Sequence, residues 1–392
     1  MVWALGLTAC TDDCPEDNGR LATVRVTVSA GAMQGVGVGT RAVTQLGPEM
    51  ENTIKTLHIF QFDGEGQHRK DELNDYHFKQ LQNEQMAPDG VLVADITDIA
   101  LHPMPKTTIV FVANVEQQLV DRFYQECADK TGSTYGNITL EQFKQWYVKL
   151  PYRKDYKNDY GPHEVNRDQI DKEGLLTAIY MCGYYEGELK AGHTLNISLG
   201  RIPALLDITF NIKNDITESI GCHLTNINDV SYIFPHDEEY SVGQNERFHI
   251  HHPKQEGQTG PVIEQGAVYH CYYYFGGHTT EKREEATQLK IYYGKAYDRF
   301  HVDGGDTEGR HDHPSATLII SNQEQAETNR WGLNRNTIYR ITVNVHTGQA
   351  PARARALPDA AGTPSGSRSF TRTCPDGSQV IDLYLSEDGQ KP

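Results

Sequence analysis

The fold is decided by residues 193–212, His-Thr-Leu-Asn-Ile-Ser-Leu-Gly-Arg-Ile-Pro-Ala-Leu-Leu-Asp-Ile-Thr-Phe-Asn-Ile. Large apolar residues alternate with polar ones on both sides of a break at 200–203: Leu195, Ile197 and Leu199 before it, and Leu206, Ile208, Phe210 and Ile212 after it. A period of two residues is typical of strands that bury one face. Because Pro203 cannot continue a central ladder and the alternation restarts beyond it, we place a domain boundary here, between domains over 21–202 and 203–347.

The same alternation recurs along the chain in both directions. Val24, Val26 and Val28 alternate with Thr and Arg in a first strand over 21–30. Further strands are predicted at 53–62, 90–96, 107–115 and 175–181, and in the second domain at about 225–235, 267–275, 287–294, 316–321 and 336–346. Apolar spacing predicts two short helices, at 116–130 and 139–150. Many strands separated by turns, without a βαβ rhythm, predict a mostly β protein of two tandem β-sandwich domains, with short helices in the N-terminal one.

Composition and charge exclude several classes of protein. The chain has 392 residues, with 36 Lys and Arg against 53 Asp and Glu, which gives a net charge of −17. A general nucleic-acid binder needs a basic surface to replace phosphate counterions, so we expect no nucleic-acid partner. No window approaches the roughly 20 apolar residues of a membrane-spanning helix, which excludes a polytopic membrane protein.

The first residues are similar to a bacterial lipoprotein signal, and we interpret residues 1–20 as a signal remnant and tether. Residues 1–9 carry no charge and lead to Cys10 through Leu7-Thr8-Ala9. Such a lipobox implies that the signal is cut before Cys10 and that this cysteine carries the lipid. Because the apolar run is short and lacks a basic start, we expect the true start codon upstream of Met1. The alternative is a cytosolic protein that contains these residues by chance.

A cleavable loop is predicted over 31–44, directly after the first strand. Residues 31–39 contain four glycines, and Thr40-Arg41-Ala42 follows them. A flexible loop with an arginine suits a trypsin-like protease, which would cut between Arg41 and Ala42. The alternative is a surface loop that stays uncut.

The C-terminal region, 348–392, is predicted to contain a flexible linker and one more strand. Residues 348–373 are rich in Ala, Pro, Gly, Ser and Arg, a composition typical of a linker. In the strand that follows, over 379–386, Ile381, Leu383 and Leu385 alternate with Asp382 and Tyr384. Its main chain needs a ladder partner and its apolar side chains need cover. The strand therefore either folds back on its own domain or inserts into another subunit.

Two histidine runs are weak candidates for a metal site. His249 and His251, like His311 and His313, would share one face of a strand, a spacing that can hold a metal if a third ligand is near. The alternative is exposed loop histidines, since prolines end both runs (Pro253 and Pro314), and we expect no metal and no cofactor. The motifs G-x-S-x-G, H-E-x-x-H and the Walker A loop are absent from the sequence, so we expect that the protein is not an enzyme. No cysteines form C-x-x-C. The six cysteines other than Cys10 would permit disulfides in an oxidising compartment, but we expect isolated buried thiols at Cys182, Cys222 and Cys271.

Several motifs, taken in their order along the chain, resemble the fimbrillin family, the subunits of Bacteroidales-type (type V) pili. They are the lipobox at Cys10, the strand at 23–29, Thr40-Arg41-Ala42, the strand at 54–62 followed by Asp63-Gly64, Val112-Ala113-Asn114, the stretch 199–204 and the stretch 333–343. The last of these, with Arg335-Asn336, Tyr339, Ile341 and Val343, is the most specific. It resembles the family pattern Arg-Asn-x-x-Tyr-x-Ile-x-Val.

The resemblance implies a fold and a mode of assembly. The fold is two transthyretin-like (Greek-key) β-sandwiches. A lipoprotein precursor reaches the outer membrane, a protease cuts after Arg41, and the first strand leaves. The C-terminal strand of a neighbouring subunit, here 379–386, then fills the groove, which gives a cell-surface fimbrium that supports adhesion. The implied partners are other pilus subunits, outer-membrane lipid through acylated Cys10 before processing, and a host or bacterial receptor that the residues do not identify.

Two other functions remain open at this point. A surface lipoprotein that does not polymerise, such as a fimbrial anchor, a tip subunit or a glycan- or ligand-binding module, would share the lipobox and the β-sandwiches. A metal-dependent enzyme at the histidine runs is the remaining alternative. Cleavage at Arg41 with strand donation, or metal retained after dialysis, distinguishes these functions.

Overall fold

The computed structural model of the chain describes a set of strands and two short helices with the turns between them. The described residues are 21–30, 34–35, 54–69, 79–80, 84–86, 92–132, 137–149, 179–212, 220–226, 230–235, 268–275, 278–280, 282–293, 316–320, 331–347, 368–373 and 379–385. All structural statements below concern these residues. The prediction of a mostly β protein is confirmed.

The first half of the chain forms one eight-stranded sheet and two helices. Its elements are β1 (Ala22–Ala30), β2 (Gln34–Gly35), β3 (Thr56–Asp63), β4 (Lys79–Gln80), β5 (Glu84–Met86), β6 (Leu92–Leu101), β7 (Met104–Ala113), α1 (Gln117–Thr131), α2 (Leu140–Lys144), β8 (Tyr147–Lys149), β9 (Met181–Leu189) and β10 (Thr194–Arg201). The sheet order is β4-β3-β7-β9-β10-β1-β6-β5. Of these strands, β2 and β8 pair elsewhere.

This sheet folds over on itself into two layers. Strands β9 and β10 share only two residue pairs, Gly200 with Cys182 and Arg201 with Met181. One apolar core contains buried side chains from β3, β7 and β9 and also from β10, β1 and β6. The sheet therefore bends at the β9–β10 corner, and its two parts enclose the core as a sandwich.

A second core covers the outer face of β3 and β7. Helix α1 contributes Val120, Phe123 and Cys127, and Phe143 comes from α2. The three side chains from α1 lie on one side of the helix, as the apolar spacing at 116–130 predicts, and Leu119 of the same helix is only partly buried. Because both faces of β3 are covered, its six central residues are all buried.

The second half of the chain forms separate sheets. Its strands are β11 (Ala204–Ile212), β12 (Ile220–Thr225), β13 (Val230–Tyr232), β14 (Val268–Phe275), β15 (His278–Thr280), β16 (Gln288–Tyr293), β17 (Ala316–Ile319), β18 (Trp331–Leu333), β19 (Thr337–Thr347), β20 (Arg368–Thr373) and β21 (Gln379–Leu385). A six-stranded sheet has the path β14-β11-β19-β21-β20, with β2 on β19, and a three-stranded sheet has the order β12-β16-β17. Two-stranded ribbons pair β13 with β8 and β15 with β18.

Several sequence predictions differ from the structure. The strand predicted at about 225–235 is the shorter β13 (Val230–Tyr232), and β12 ends at Thr225. Helix α2 ends at Lys144, because Tyr147–Lys149 pairs with β13. The strand predicted at 175–181 begins only at Met181, and residues 175–178 lie outside the described part. The linker predicted over 348–373 ends in β20, which pairs with β21.

Candidate functional site: the β1 groove and the C-terminal strand

Strand β1 lies inside its sheet, between β6 and β10. It pairs antiparallel with β6, from Ala22 opposite Leu101 to Ser29 opposite Val93. It pairs parallel with β10, from Arg25 opposite Thr194 to Ala30 opposite Leu199. We call the space between β6 and β10 that β1 fills the β1 groove. Removal of β1 would leave two strand edges with open hydrogen-bonding groups on either side of it.

One face of β1 belongs to the core. Ala22, Val24, Val26, Val28 and Ala30 are each at most 6% exposed. Burying the three valines alone stabilises the fold by on the order of 5 kcal/mol, at about 1.5 kcal/mol each. The intervening residues face outward, which confirms the period-two pattern of the sequence. A strand that replaces β1 must therefore bring alternating apolar side chains.

The segment after β1 reaches the other half of the chain. Within the predicted cleavable loop, β2 pairs parallel with the start of β19, Gln34 opposite Thr337 and Gly35 opposite Ile338. Arg41 and Ala42, where cleavage is predicted, lie outside the described residues, as does Cys10. Strands β1 and β2 thus touch both halves and both precede the predicted cut.

The predicted donor strand lies in the sheet of its own half. Strand β21 pairs parallel with β19, from Ile341 opposite Gln379 to Thr347 opposite Leu385. On its other edge it pairs antiparallel with β20. Ile381 and Leu383 are buried, at 1% and 0% exposed, and the Leu385 side chain lies outside the described part. Of the two placements that the sequence left open, this structure has the strand folded back on its own domain.

Polar side chains hold β21 on β19. Asp382 Oδ1 accepts hydrogen bonds from Asn344 Nδ2 and His346 Nε2, each at 3.0 Å. Asn344 Oδ1 in turn accepts from Asn211 Nδ2 of β11 at 2.8 Å. The ring of Tyr384 stacks on His346, with centroids 4.7 Å apart. Sequence reasoning missed this network, although Asn344 and Asp382 each stand between two apolar residues of an alternating strand.

The motif at 333–343 joins the two halves. The Arg335 guanidinium donates to the carbonyls of Tyr232 at 3.0 Å and Ile233 at 3.2 Å. Asn336, in a left-handed conformation with φ 54°, accepts from the main-chain N–H of Arg201 at 3.1 Å. The Tyr339 hydroxyl accepts from the Asn334 N–H at 2.8 Å, and burial raises its pKa. These contacts explain why the motif has polar residues at these positions, because the polar residues fix the junction between β10 and β19.

The remaining predicted sites can be placed only in part. His249, His251, His311 and His313 lie outside the described residues. Among the described residues, no three His, Cys, Asp or Glu side chains are grouped so that they could hold a metal ion. Within the same residues no helix is both long and apolar enough to cross a bilayer. Cys127 and Cys182 are buried thiols, and burial raises the pKa of the Cys182 thiol to about 12.

Comparison with family models finds no match, and no curated protein matches. Solved structures do match. The tip fimbrial protein Mfa3 of Porphyromonas gingivalis, truncated at its C-terminus, is 14% identical with a TM-score of 0.40, over 69% of this chain and 78% of that one. A fimbrial assembly protein of Parabacteroides distasonis is 11% identical with a TM-score of 0.44, over 82% and 90%. A candidate cell adhesion protein of the same organism is 15% identical with a TM-score of 0.44, over 82% and 88%.

The matched structures are fimbrial and candidate cell adhesion proteins from Bacteroidales, the class that the motifs indicated, at low sequence identity.

Proposed function

We propose that the chain is a structural subunit of a cell-surface fimbrium that polymerises by strand exchange and supports adhesion. It is exported as an outer-membrane lipoprotein acylated at Cys10, and a protease cuts it after Arg41. Strand β1 then leaves, and the C-terminal strand of a neighbouring subunit enters the β1 groove. The role is structural, without catalysis and without a cofactor.

The observation that carries the proposal is the position of β1. It is internal to its sheet and buries five small apolar side chains, and the main chain that leads from β1 to the rest of its sheet runs through the segment that contains Arg41. A cut in that segment breaks the main-chain connection from β1 to the strands that follow it. The vacated groove would expose an apolar floor between two open strand edges, which an added strand covers best.

Strand β21 is suited to replace β1 by its pairing. In its own sheet β21 has a parallel neighbour, β19, on one edge and an antiparallel neighbour, β20, on the other. Strand β1 also has one parallel neighbour, β10, and one antiparallel neighbour, β6. Both strands alternate apolar and polar residues. Because donor and groove belong to different sheets of the subunit, the contact is head to tail and builds an open filament.

Limited digestion with trypsin tests the proposal on the chain from residue 11 onward. We expect an early cut after Arg41, loss of the segment that contains β1, and a ladder of oligomers on a native gel. The Arg41→Ala variant should keep β1 and stay monomeric under the same digestion. Wild-type protein that is cut after Arg41 but stays a monomer with β1 bound would contradict strand exchange at this groove.

A second function is favoured by the placement of β21 in its own sheet. A subunit whose C-terminal strand stays there could receive a strand without donating one, as a tip would, or could remain a lipid-anchored surface protein with a ligand of its own. Mixing cut, isotope-labelled chains with unlabelled ones distinguishes these functions. A donating subunit gives long mixed oligomers, whereas a chain that does not donate gives none with itself.

A further inference from the structure

The polar contacts of β21 follow one row across three parallel strands. Asn211 of β11 lies opposite Asn344 of β19, which lies opposite Asp382 of β21. The hydrogen bonds from Asn211 to Asn344 and from Asn344 to Asp382 run along this row, at 2.8 and 3.0 Å. A slip of β21 by two residues would keep its apolar face inward but would move Asp382 away from Asn344. The row therefore sets the register of β21 on its parallel neighbour, which apolar alternation alone cannot do.

The parallel neighbour of β1 repeats the sequence pattern of β19. In β19, Asn344 stands between buried Val343 and Val345. In β10, Asn196 stands between buried Leu195 and Ile197, and its own side chain is exposed. Asn196 lies opposite Thr27 of β1 in a parallel pair. An amide is thus present on the outer face of β10, opposite the middle of the strand that fills the β1 groove.

We propose that Asn196 and Asp382 set the register of the exchanged strand, so that Asp382 of one copy takes the place of Thr27 in the next. The inference rests on the proposed strand exchange. The Asn196 amide donates to the Asp382 carboxylate, as Asn344 does when β21 lies in its own sheet. Ile381 and Leu383 then take the places of Val26 and Val28.

In one alternative register Asp382 takes the position of Arg25, two residues before Thr27. The charge of Glu387 disfavours this register. It would place Glu387 at the position of Ala30, which is 2% exposed. Burying a carboxylate without a partner costs far more than burying an amide. The proposed register instead places Leu385 at Ala30 and leaves one polar side chain, the amide of Gln379, at a core position, that of Val24.

The alternative register with Asp382 two residues later, at Ser29, is disfavoured by packing. It would place Gly377 and Gln379 at the positions of Val24 and Val26, both at most 1% exposed. Two of the three valine positions would then have no apolar side chain. A slip by an odd number of residues turns the apolar face of the donor outward.

Crosslinking two singly substituted full-length chains tests the register. One chain carries Tyr384→Cys and the other carries Ser198→Cys, because the proposed register places residue 384 at Ser29, which lies opposite Ser198. After cleavage at Arg41 and mixing, a short thiol crosslinker should join the two chains, and each chain alone is the control for the native cysteines. The register with Asp382 at Arg25 would instead join Tyr384→Cys to Asn196→Cys, since it places residue 384 at Thr27.

The Asn196→Ala variant tests the amide itself. Loss of the Asn196 amide should slow the growth of the oligomer ladder about tenfold, because a factor of ten corresponds to about one hydrogen bond to a carboxylate. Gln125→Ala, an exposed amide on α1, should grow like wild type. Unchanged growth in Asn196→Ala, or crosslinking through Asn196→Cys, would overturn the register while strand exchange stands. Absence of any ladder in the wild type contradicts the proposed function itself.

Discussion

At the scale of single residues, Gly183 explains how closely the two layers of the first sandwich approach. A Cβ on Gly183 would lie 2.5 Å from the Ser198 carbonyl oxygen and 3.0 Å from Ile197 Cγ2. Because a main-chain oxygen cannot move aside alone, Gly183→Ala would push β9 away from β10. We expect a loss of about 1–3 kcal/mol in the free energy of unfolding, measured by urea denaturation.

Gly200→Ala is the matched control for that substitution. It lies on β10, and its added Cβ would meet no atom closer than 3.8 Å. We expect it to be close to wild type in stability. Equal losses of stability in the two variants would mean that the close approach of the Ser198 carbonyl oxygen is not the reason why alanine destabilises position 183.

His58 makes the stability depend on pH in a definable direction. It is 2% exposed, its Nε2 lies 2.8 Å from the Val115 carbonyl oxygen, and burial lowers its pKa from 6.5. Below about pH 6.5, His58 therefore binds a proton in the unfolded chain but stays neutral in the folded chain until the pH reaches its lowered pKa. The contribution of His58 to stability is complete above that pH and is lost as the pH falls toward the lowered pKa of the folded state.

The His58→Gln variant should reduce this pH dependence, because it keeps an N–H donor but cannot titrate. Denaturation at pH 7 and pH 5 measures the slope of the free energy of unfolding against pH. We expect the slope to fall by at most the titration of one proton, about 1.4 kcal/mol per pH unit. An unchanged slope would show that His58 is protonated in the folded state as readily as in the unfolded chain.

At the scale of the element, the retention of β21 depends on its polar row. Asn344→Ala removes one donor to Asp382 and leaves the apolar contacts of Ile381 and Leu383 intact. We expect the main-chain amides of β21 to exchange with deuterium about fivefold faster, which corresponds to about 1 kcal/mol for a partly exposed hydrogen bond. The amides of β1 serve as the internal reference, and faster exchange in both strands would indicate general destabilisation instead.

Strands with one buried face could be predicted from the sequence, whereas elements that depend on distant partners could not. The alternation in β1 and β10 is local and strict, so their positions followed from the residues alone. Helix α2 was predicted too long, because its stripe of Leu140, Phe143 and Trp146 continues past Lys144. What ends it is pairing of β8 with β13, some eighty residues later. Strand β20 could not be predicted for the same reason, because its six residues have low apolar content and form a strand only beside β21.

At the scale of the whole molecule, the two halves of the chain are in direct contact through strands and side chains. Strand β13 pairs with β8 of the first half. Ile233 and Phe234, which directly follow β13, are buried in the core around α1 and α2. The sequence places residues 230–235 in the second domain, whereas in the structure they pack against the first. The two halves are therefore joined by paired strands and packed side chains as well as by the chain itself.

Arg335 holds this junction, and its removal should separate the unfolding of the two halves. The guanidinium donates to two main-chain carbonyls of residues 232–233, and their loss costs about 2 kcal/mol. We expect wild-type protein to give one calorimetric transition and Arg335→Ala to give a broadened or split one, with a van't Hoff enthalpy below the calorimetric enthalpy. Arg69→Ala, which removes an ion pair between half-exposed Arg69 and Asp63 inside the first half, should keep a single transition. One sharp transition in Arg335→Ala would mean that the apolar contacts of Ile233 and Phe234 couple the halves without it.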